Sequence, residues 1–350
     1  MPRVNVMIVD DSAFMRNVLE QILASSDRIN VVAKAKNGLD ALEKLRIHDV
    51  DVVTMDIEMP EMNGLEALQA IMRERPTPVI MLSSYTNRGA AETMRSLELG
   101  AVDFIPKPTN LLNMGMAAFK EEIVKKVLVA STVKANRCKE SEKLFPCSKN
   151  KALNSGTDIK SIIAIATSTG GPRALQEVLP VIPSSIDGYV MVVQHMPPGF
   201  TKSLAERLDA MCQLKVKEAE NGEIAKPGFC YIAPGDFHLR LVQEGIKHKI
   251  ALGKDPAVSG HRPSADALFE SLCASDVEKI TAVIMTGMGS DGAKGIGKLK
   301  NARNCYSIAQ DEESSVVFGM PKSAIKLGVV DRVVPLKDIG SEILKSLEVE

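Results

Sequence analysis

Three residues in this chain carry the groups needed for nucleophilic acyl transfer, and each stands where an apolar run stops. Residues 161–172 read S-I-I-A-I-A-T-S-T-G-G-P, so the hydroxyl of Ser168 follows the run Ile162 to Ala166. That run suits a buried parallel strand, Gly170-Gly171 permit close backbone approach, and Pro172 suits the first turn of a helix. Tyr189 to Val193 leads to Gln194-His195 and is stopped by Pro197-Pro198, while Thr281 to Met285 leads into T-G-M-G-S-D-G, which carries Asp291. A serine needs a base to take its proton, and the base needs a carboxylate to fix its tautomer. The serine pattern comes within one residue of the G-x-S-x-G elbow, with Ala166 at the first glycine. His48, His238, His248 and His261 compete with His195 for the role of base. His238 and His261 also lie in loop-like contexts, A-P-G-D-F-H and S-G-H-R-P-S, so spacing alone leaves the choice open.

The first third of the chain holds a different chemistry, again at strand ends. Asp10-Asp11 follow Val4 to Val9, Asp56 ends Val50 to Met55, Ser83 ends Val79 to Leu82, and Lys107 follows Phe104-Ile105. Three carboxylates at one sheet edge repel one another, and a hard divalent cation such as Mg2+, which takes oxygen ligands, relieves that repulsion. With a lysine as point charge and a hydroxyl as donor, the set suits an aspartyl phosphate.

The elements that must position these groups follow from the apolar rhythm. Residues 1–125 alternate short apolar runs with amphipathic segments, five βα units in all, as in a doubly wound parallel sheet. Helical patterns cover Ala13 to Ala24, Gly38 to Arg46, Gly64 to Arg73, Ala90 to Leu99 and Leu111 to Val129. Periodicity gives way to Lys, Ser, Asn and Glu from about Lys134, and residues 126–158 read as a linker. The strand and helix rhythm resumes at Ile159 and runs to residue 350, closing with a strand and an amphipathic helix after Val329. The expected fold is α/β with two doubly wound domains: a five-stranded flavodoxin-like unit, then a Rossmann-like, mostly parallel hydrolase unit.

Composition narrows the function classes. With 45% hydrophobic and 25% charged residues the chain is ordinary globular material, and its net charge of -1 gives no electrostatic reason to expect nucleic acid or an anionic membrane as partner. The six cysteines include no C-x-x-C pair, so neither a zinc ribbon nor a disulfide framework is expected. Val4 to Val9 is too short for the apolar region of a signal peptide, and no stretch approaches a membrane span. A cytoplasmic protein with no direct membrane insertion is the expectation.

The motifs V-D-D, M-D-I-E-M-P-E-M-N-G-L-E, V-I-M-L-S-S and F-I-P-K-P resemble the signature of response-regulator receiver domains. The second half is similar to the bacterial chemotaxis protein-glutamate methylesterases through S-T-G-G-P, V-Q-H-M-P-P-G-F, Y-I-A-P-G-D-F-H, H-R-P-S-A-D, M-T-G-M-G-S-D-G and I-A-Q-D-E-E-S-S-V-V-F-G-M-P. The resemblance implies Asp56 as phosphoacceptor, Asp10 and Asp11 as partners in holding magnesium, and Ser83, Phe104 and Lys107 as switch residues. It further implies Ser168 as nucleophile, His195 as base, Asp291 as its orienter, the Met288 amide in the oxyanion hole and Thr169 beside the nucleophile. Thr167 and Ala166 stand where that family commonly has Ala and Gly. The implied activity is hydrolysis of glutamate γ-methyl esters on chemoreceptors to glutamate and methanol, with deamidation of receptor glutamines. A chemotaxis histidine kinase would be the phosphodonor, and the unphosphorylated receiver would cover the crevice holding Ser168. No cofactor is implied for the hydrolysis.

Two other readings compete. Gly287 to Gly292 is literally G-x-G-x-x-G after a strand, with Asp311 following Tyr306 to Ala309, the skeleton of a dinucleotide site. Against it, Asp291 inside the loop would repel a pyrophosphate. A receiver joined to a noncatalytic effector would need a helix-turn-helix or a basic face, and the second half has neither signature.

Overall fold

The protein is described here by a computed structural model over residues 3–108, 115–133 and 159–348. The chain divides into two compact units, Met1–Glu142 and Lys143–Glu350. Most of the expected linker, residues 134–158, and Leu111, the expected start of the fifth helix, lie outside the described residues.

The first unit runs β1 Val4–Val9, α1 Ala13–Ala24, β2 Ile29–Ala35, α2 Gly38–Ile47, β3 Val52–Asp56, α3 Gly64–Glu74, β4 Val79–Ser83, α4 Asn87–Glu98, β5 Asp103–Pro106 and α5 Gly115–Ala130. Its five strands are parallel in the order β2-β1-β3-β4-β5. Every residue of β3 and β4 is buried, as expected of strands covered by helices on both faces. Side-chain caps fix four helix starts: Ser12, Asn37 and Thr86 each accept a backbone N–H, and Asn63 forms a capping box with Glu66. Helix α5 runs past the boundary expected at residue 125, because Val127 and Ala130 are buried against this unit's core. The strand order turns back between β1 and β3, so Asp10, Asp11 and Asp56 stand at the switch point, where open α/β sheets bind ligands.

The second unit runs β6 Ser161–Thr167, α6 Gly171–Val178, β7 Gly188–Gln194, α7 Phe200–Met211, β8 Lys215–Glu218, β9 Phe229–Ile232, β10 His238–Glu244, β11 Lys247–Gly253, α8 Ala265–Ser271, β12 Lys279–Ile284, α9 Ala293–Ala302, β13 Cys305–Gln310, α10 Met320–Lys326, β14 Arg332–Val334 and α11 Leu336–Leu347. Seven strands form one parallel sheet in the order β14-β13-β12-β6-β7-β9-β8. Helices α6, α7 and α11 pack together, as do α8, α9 and α10. All residues of β6 and β7 are buried, and burying an aliphatic side chain of this kind contributes about 1.5–3 kcal/mol.

The strand and helix rhythm expected from Ile159 onward is interrupted once. β10 and β11 form an antiparallel hairpin outside the main sheet, with Leu239, Leu241 and Ile250 buried in the core. The alternating L-R-L-V-Q-E and K-H-K-I-A-L runs about Gly245 (φ 62°) carry that hairpin. In the main sheet β7 lies on one side of β6 and β12 on the other, so the chain direction switches between β6 and β12. Ser168 and Asp291 follow those two strands, and His195 follows the next.

Candidate active site

The parallel register pairs Thr167 with Gln194, which brings the residues after them, Ser168 and His195, to adjacent strand ends. The His195 N–H donates to Thr167 O at 3.1 Å. The Gln194 side chain ties the corner, its Nε2 donating to Ser168 O at 2.9 Å and its Oε1 accepting from Thr167 Oγ1 at 2.6 Å. Thr167 is thus a bonded partner of Gln194. Ala166 lies within extended β6 and needs no glycine.

The turn at Ser168 differs from a strained elbow. Ser168 O accepts from Gly171 N at 2.8 Å, and the positive φ falls on Gly170 at 79°. The Ser168 N–H donates to Thr286 O at 3.0 Å, so it is turned away from a developing oxyanion. On the facing loop, a Cβ on Gly287 would lie 2.8 Å from Ser168 Cβ and 3.1 Å from Ser168 N, so only glycine lets this loop approach the serine. Met288, the next residue, is half-buried, and its N–H has no hydrogen-bond partner among the described residues. The loop is held from behind. Gly287 O accepts from Gly319 and Met320, and Thr286 Oγ1 donates to the buried Thr169 at its carbonyl, 2.9 Å away.

His195 Nε2 lies 2.8 Å from Asp291 Oδ2. An ionised carboxylate only accepts, so Nε2 carries the proton and Nδ1 holds the lone pair. Nδ1 is buried and has no hydrogen-bond partner. No hydrogen bond joins Ser168 Oγ to it, a bond that is often open in a free enzyme and tightens with substrate.

Asp291 is the most heavily bonded carboxylate of the site. Besides His195 it accepts from Ser264 Oγ at 2.7 Å, Ala265 N at 2.6 Å and Asp266 N at 3.0 Å. Two of these donors are backbone amides at the start of α8, where the helix dipole favours negative charge. The favour is returned across the packed pair: Asp266, in the first turn of α8, accepts from Gly292 N at 2.9 Å and Gly295 N at 2.7 Å at the start of α9. Burial pushes the Asp291 carboxyl up, but the bonds from His195, Ser264 and Ala265 outweigh it and hold the pKa at about 2. Burial and the neighbouring Asp291 charge instead raise the Asp266 carboxyl.

This arrangement overturns the dinucleotide reading of Gly287 to Gly292. The amides of Gly292 and Gly295, which would greet a phosphate, already bond Asp266. The rival histidines also find their places. His48 caps α2 in the first unit; His238 Nε2 bonds Pro256 O at 3.1 Å; His248 lies between Tyr189 and Asp276. His261 stacks on His195, with ring centroids 3.9 Å apart and planes 7° from parallel. Sequence reasoning missed Gln194, Ser264, Asp266 and Thr286. Ser264 was legible as a helix cap three residues before Ala267, whose N–H it accepts.

In the first unit, carboxylate oxygens of Asp10, Asp11 and Asp56 lie within 4.8 Å of one another. Lys107 Nζ bridges Asp10 Oδ2 at 2.9 Å and Asp56 Oδ2 at 2.7 Å. Asp10 Oδ2 is buried and accepts no well-formed hydrogen bond, and the oxygen-only donor set fits a hard divalent cation. Burial, opposed by Lys107 and aided by Asp10 and Asp11, lifts the Asp56 pKa to about 6. The buried Ser83 hydroxyl bonds Gly89 O at 3.1 Å and Thr93 Oγ1 at 2.7 Å, tying it to α4. Phe104 is buried, with Lys126 Nζ 5.5 Å from its ring centre.

Among the described residues, no helix is long and apolar enough to cross a membrane.

Comparison with known proteins finds relatives of both units. The family model for CheB methylesterase matches residues 163–343, and that for the response regulator receiver domain matches residues 6–117. A protein-glutamate methylesterase/protein-glutamine glutaminase of Geobacillus kaustophilus is 46% identical over 345 residues, covering 99% of each chain. One of the same description from Salmonella typhi is 43% identical over 349 residues, covering 99% of this chain and 98% of the relative. The crystal structure of the Thermotoga maritima CheB methylesterase catalytic domain covers 53% of this chain and 97% of its own, at 48% identity and a TM-score of 0.50. With matches of this length running through both units, the chain belongs to the CheB methylesterase family, with a response-regulator receiver domain ahead of the catalytic one.

Proposed function

We propose that this protein is a phosphorylation-controlled protein-glutamate methylesterase, with Ser168, His195 and Asp291 as its catalytic triad. Ser168 Oγ attacks the γ-carbonyl of a glutamate methyl ester while His195 Nδ1 takes its proton. The same imidazole returns the proton to the departing methoxide, methanol leaves, and a water activated by Nδ1 releases the free glutamate from the acyl-serine. Asp291 holds Nε2–H throughout and stabilises the imidazolium. The Met288 amide, with Thr169 beside the nucleophile, faces the developing oxyanion, and donors so placed supply a large share of the barrier lowering. Attack on the amide of a receptor glutamine follows the same course with ammonia leaving, which extends the reading to deamidation.

The observation that carries this reading is the His195 ring: one nitrogen is held by a carboxylate and the other is buried and unpartnered, while the strand register brings His195 and Ser168 to adjacent strand ends. The relatives, protein-glutamate methylesterases/protein-glutamine glutaminases, supply the substrate class.

In the receiver, which runs to the end of α5, Asp56 is the phosphoacceptor, with Lys107, Ser83 and Phe104 as the switch set. Asp10, Asp11 and Asp56 would hold Mg2+, whose chemistry there is to offset charge on the incoming phosphoryl oxygens. A chemotaxis histidine kinase in the cytoplasm is the phosphodonor, and the cytoplasmic helical region of methylated chemoreceptors is the substrate. The segment between the end of α5 and residue 158 acts as linker, and phosphorylation shifts the population away from a form in which the receiver restrains residues 159–350. A tenfold shift needs about 1.4 kcal/mol.

The test is methanol release from methylated receptor membranes, with and without a small-molecule phosphodonor. Ser168→Ala should abolish release while the protein stays folded by circular dichroism. Release at the normal rate from that variant refutes the assignment.

A further inference from the structure

Gln194 is 2% exposed at the end of β7, so its amide must find its partners inside the protein. It finds them on the two strand ends that carry Ser168 and His195. Oε1 accepts from Thr167 Oγ1 at 2.6 Å, and Nε2 donates to Ser168 O at 2.9 Å and to His195 O at 3.1 Å. Carbonyl oxygens only accept, which fixes the NH2 on their side and leaves Oε1 for the threonine hydroxyl. One amide thus spends its acceptor on the residue before the nucleophile and its donors on the nucleophile and the base themselves.

These bonds complete a frame around both reacting residues. Beyond the bond from His195 N to Thr167 O at 3.1 Å, Gln194 Nε2 joins Ser168 to His195 directly. Ser168 O takes a second donor, Gly171 N at 2.8 Å, and the Ser168 N–H is held by Thr286 O at 3.0 Å. With its N–H and both lone pairs of its carbonyl engaged, the Ser168 backbone is fixed and only its side chain is left to rotate. His195 likewise has its N–H on Thr167 and its C=O on Gln194.

The chain also makes room for this amide. Gly171 opens α6 and, unlike Gly170, has no positive φ, so backbone conformation does not call for glycine there. A Cβ on Gly171 would overlap Gln194 Oε1 and lie 2.7 Å from Thr167 Cβ. The second glycine of S-T-G-G-P is therefore space for the Gln194 side chain.

We infer that Gln194 is a positioning residue, an amide clip that sets how Ser168 Oγ and His195 Nδ1 face each other. The inference rests on the esterase reading and adds the group that aligns its nucleophile with its base. Acyl transfer is sensitive to such alignment, since a misplacement of about 1 Å costs on the order of 100-fold in rate. No other side chain offers the same set: Glu lacks the two N–H donors, Met lacks donors altogether, and Asn is shorter by one methylene. Being buried, Gln194 does not touch the receptor, so the clip acts on the chemical step and leaves receptor binding alone.

The full chain and its variants would be compared by methanol release from methylated receptor membranes, with kcat and KM taken separately and thermal unfolding followed in parallel. Gln194→Met keeps the length of the side chain and removes all three bonds. Its kcat should fall about 100-fold while KM changes by less than about twofold. Thr167→Ala removes only the bond to Oε1 and should lower kcat about fivefold, with no further loss when it is combined with Gln194→Met. Thr281→Val is the structural control, because it deletes a buried hydroxyl bond to Ser346 Oγ, 2.7 Å long, in β12 of the same sheet. It should lower the unfolding temperature and change kcat by less than about threefold.

An unchanged kcat in Gln194→Met, a rise in KM matching the fall in kcat, or an equal kcat loss in Thr281→Val overturns the clip. If Gln194→Met does not fold, Thr167→Ala decides, and a wild-type kcat in that variant overturns the proposal. Absence of methanol from the wild-type chain, a result read without any variant, would sink the esterase reading, and the clip would fall with it.

Discussion

Asp56 and Asp291 occupy the same topological place in two different sheets, and their chemistry runs in opposite directions. Both are buried, both lie at a switch point, and both have a cationic or cation-forming partner: Lys107 at 2.7 Å and His195 at 2.8 Å. Yet the Asp56 pKa is lifted to about 6 while that of Asp291 is held at about 2. The difference lies in the company each keeps. Asp56 shares its lysine with Asp10 and faces Asp11, so negative charge accumulates where burial already disfavours it. Asp291 collects two backbone amides, a hydroxyl and an imidazole N–H. A carboxylate left short of donors is suited to react with a phosphoryl group and to draw in a cation; one surrounded by donors is suited to stay ionised and hold another group still.

The comparison breaks most visibly at Asp291. Asp291→Asn should cut methanol release by about 10^4-fold, because an amide NH2 facing Nε2 favours the tautomer with the proton on Nδ1, which removes the base. Single-turnover assays on methylated receptor would check this, and a loss under tenfold would mean that the carboxylate does not set the tautomer.

Asp56 should respond in the opposite sense, in stability. Its folded pKa lies above the ordinary carboxylate value, so the folded state binds the proton more tightly and stability falls as pH rises from about 4 to about 6. Asp56→Asn should abolish phosphorylation, stabilise the receiver at pH 7 by roughly 1–3 kcal/mol and flatten that pH window, as read by thermal unfolding. Asp291 has the reverse sign: its contribution is present above about pH 4 and is lost as pH falls toward 2. Destabilisation of the receiver by Asp56→Asn at pH 7 would contradict the contrast.

The smallest effect is expected at Asp266, which resembles Asp56 in being raised by burial and a like charge but takes no part in the reaction. Asp266→Asn keeps the acceptor for Gly292 and Gly295 and removes one negative charge near Asp291 and its imidazole. The acid limb of the kcat/KM profile should move down by about half a pH unit with kcat at its plateau little changed. A plateau loss beyond tenfold would instead mark a purely structural role.

Much of this was readable along the chain, because local rules decided it. The five βα units of the receiver, with α1 at Ala13–Ala24 as expected, follow from short apolar runs and capping residues that act within a few positions. Thr167 and Ala166, which looked like departures at the nucleophile's turn, are accounted for by the Gln194 bond and by the extended strand. The β10 and β11 hairpin escaped because its alternation was taken for part of a parallel rhythm.

By itself the sequence determined that a hydroxyl, an imidazole and a carboxylate would each end a buried strand, since apolar runs and the glycines and prolines that stop them are local signals. Only the tertiary structure decided which histidine meets Asp291 and which of its nitrogens is left without a partner. It also decided the opposite fates of Asp56 and Asp291, because strand order across the sheet, the crossed pairing of Asp291 with α8 and Asp266 with α9, and the burial they create are sums over residues far apart in the chain.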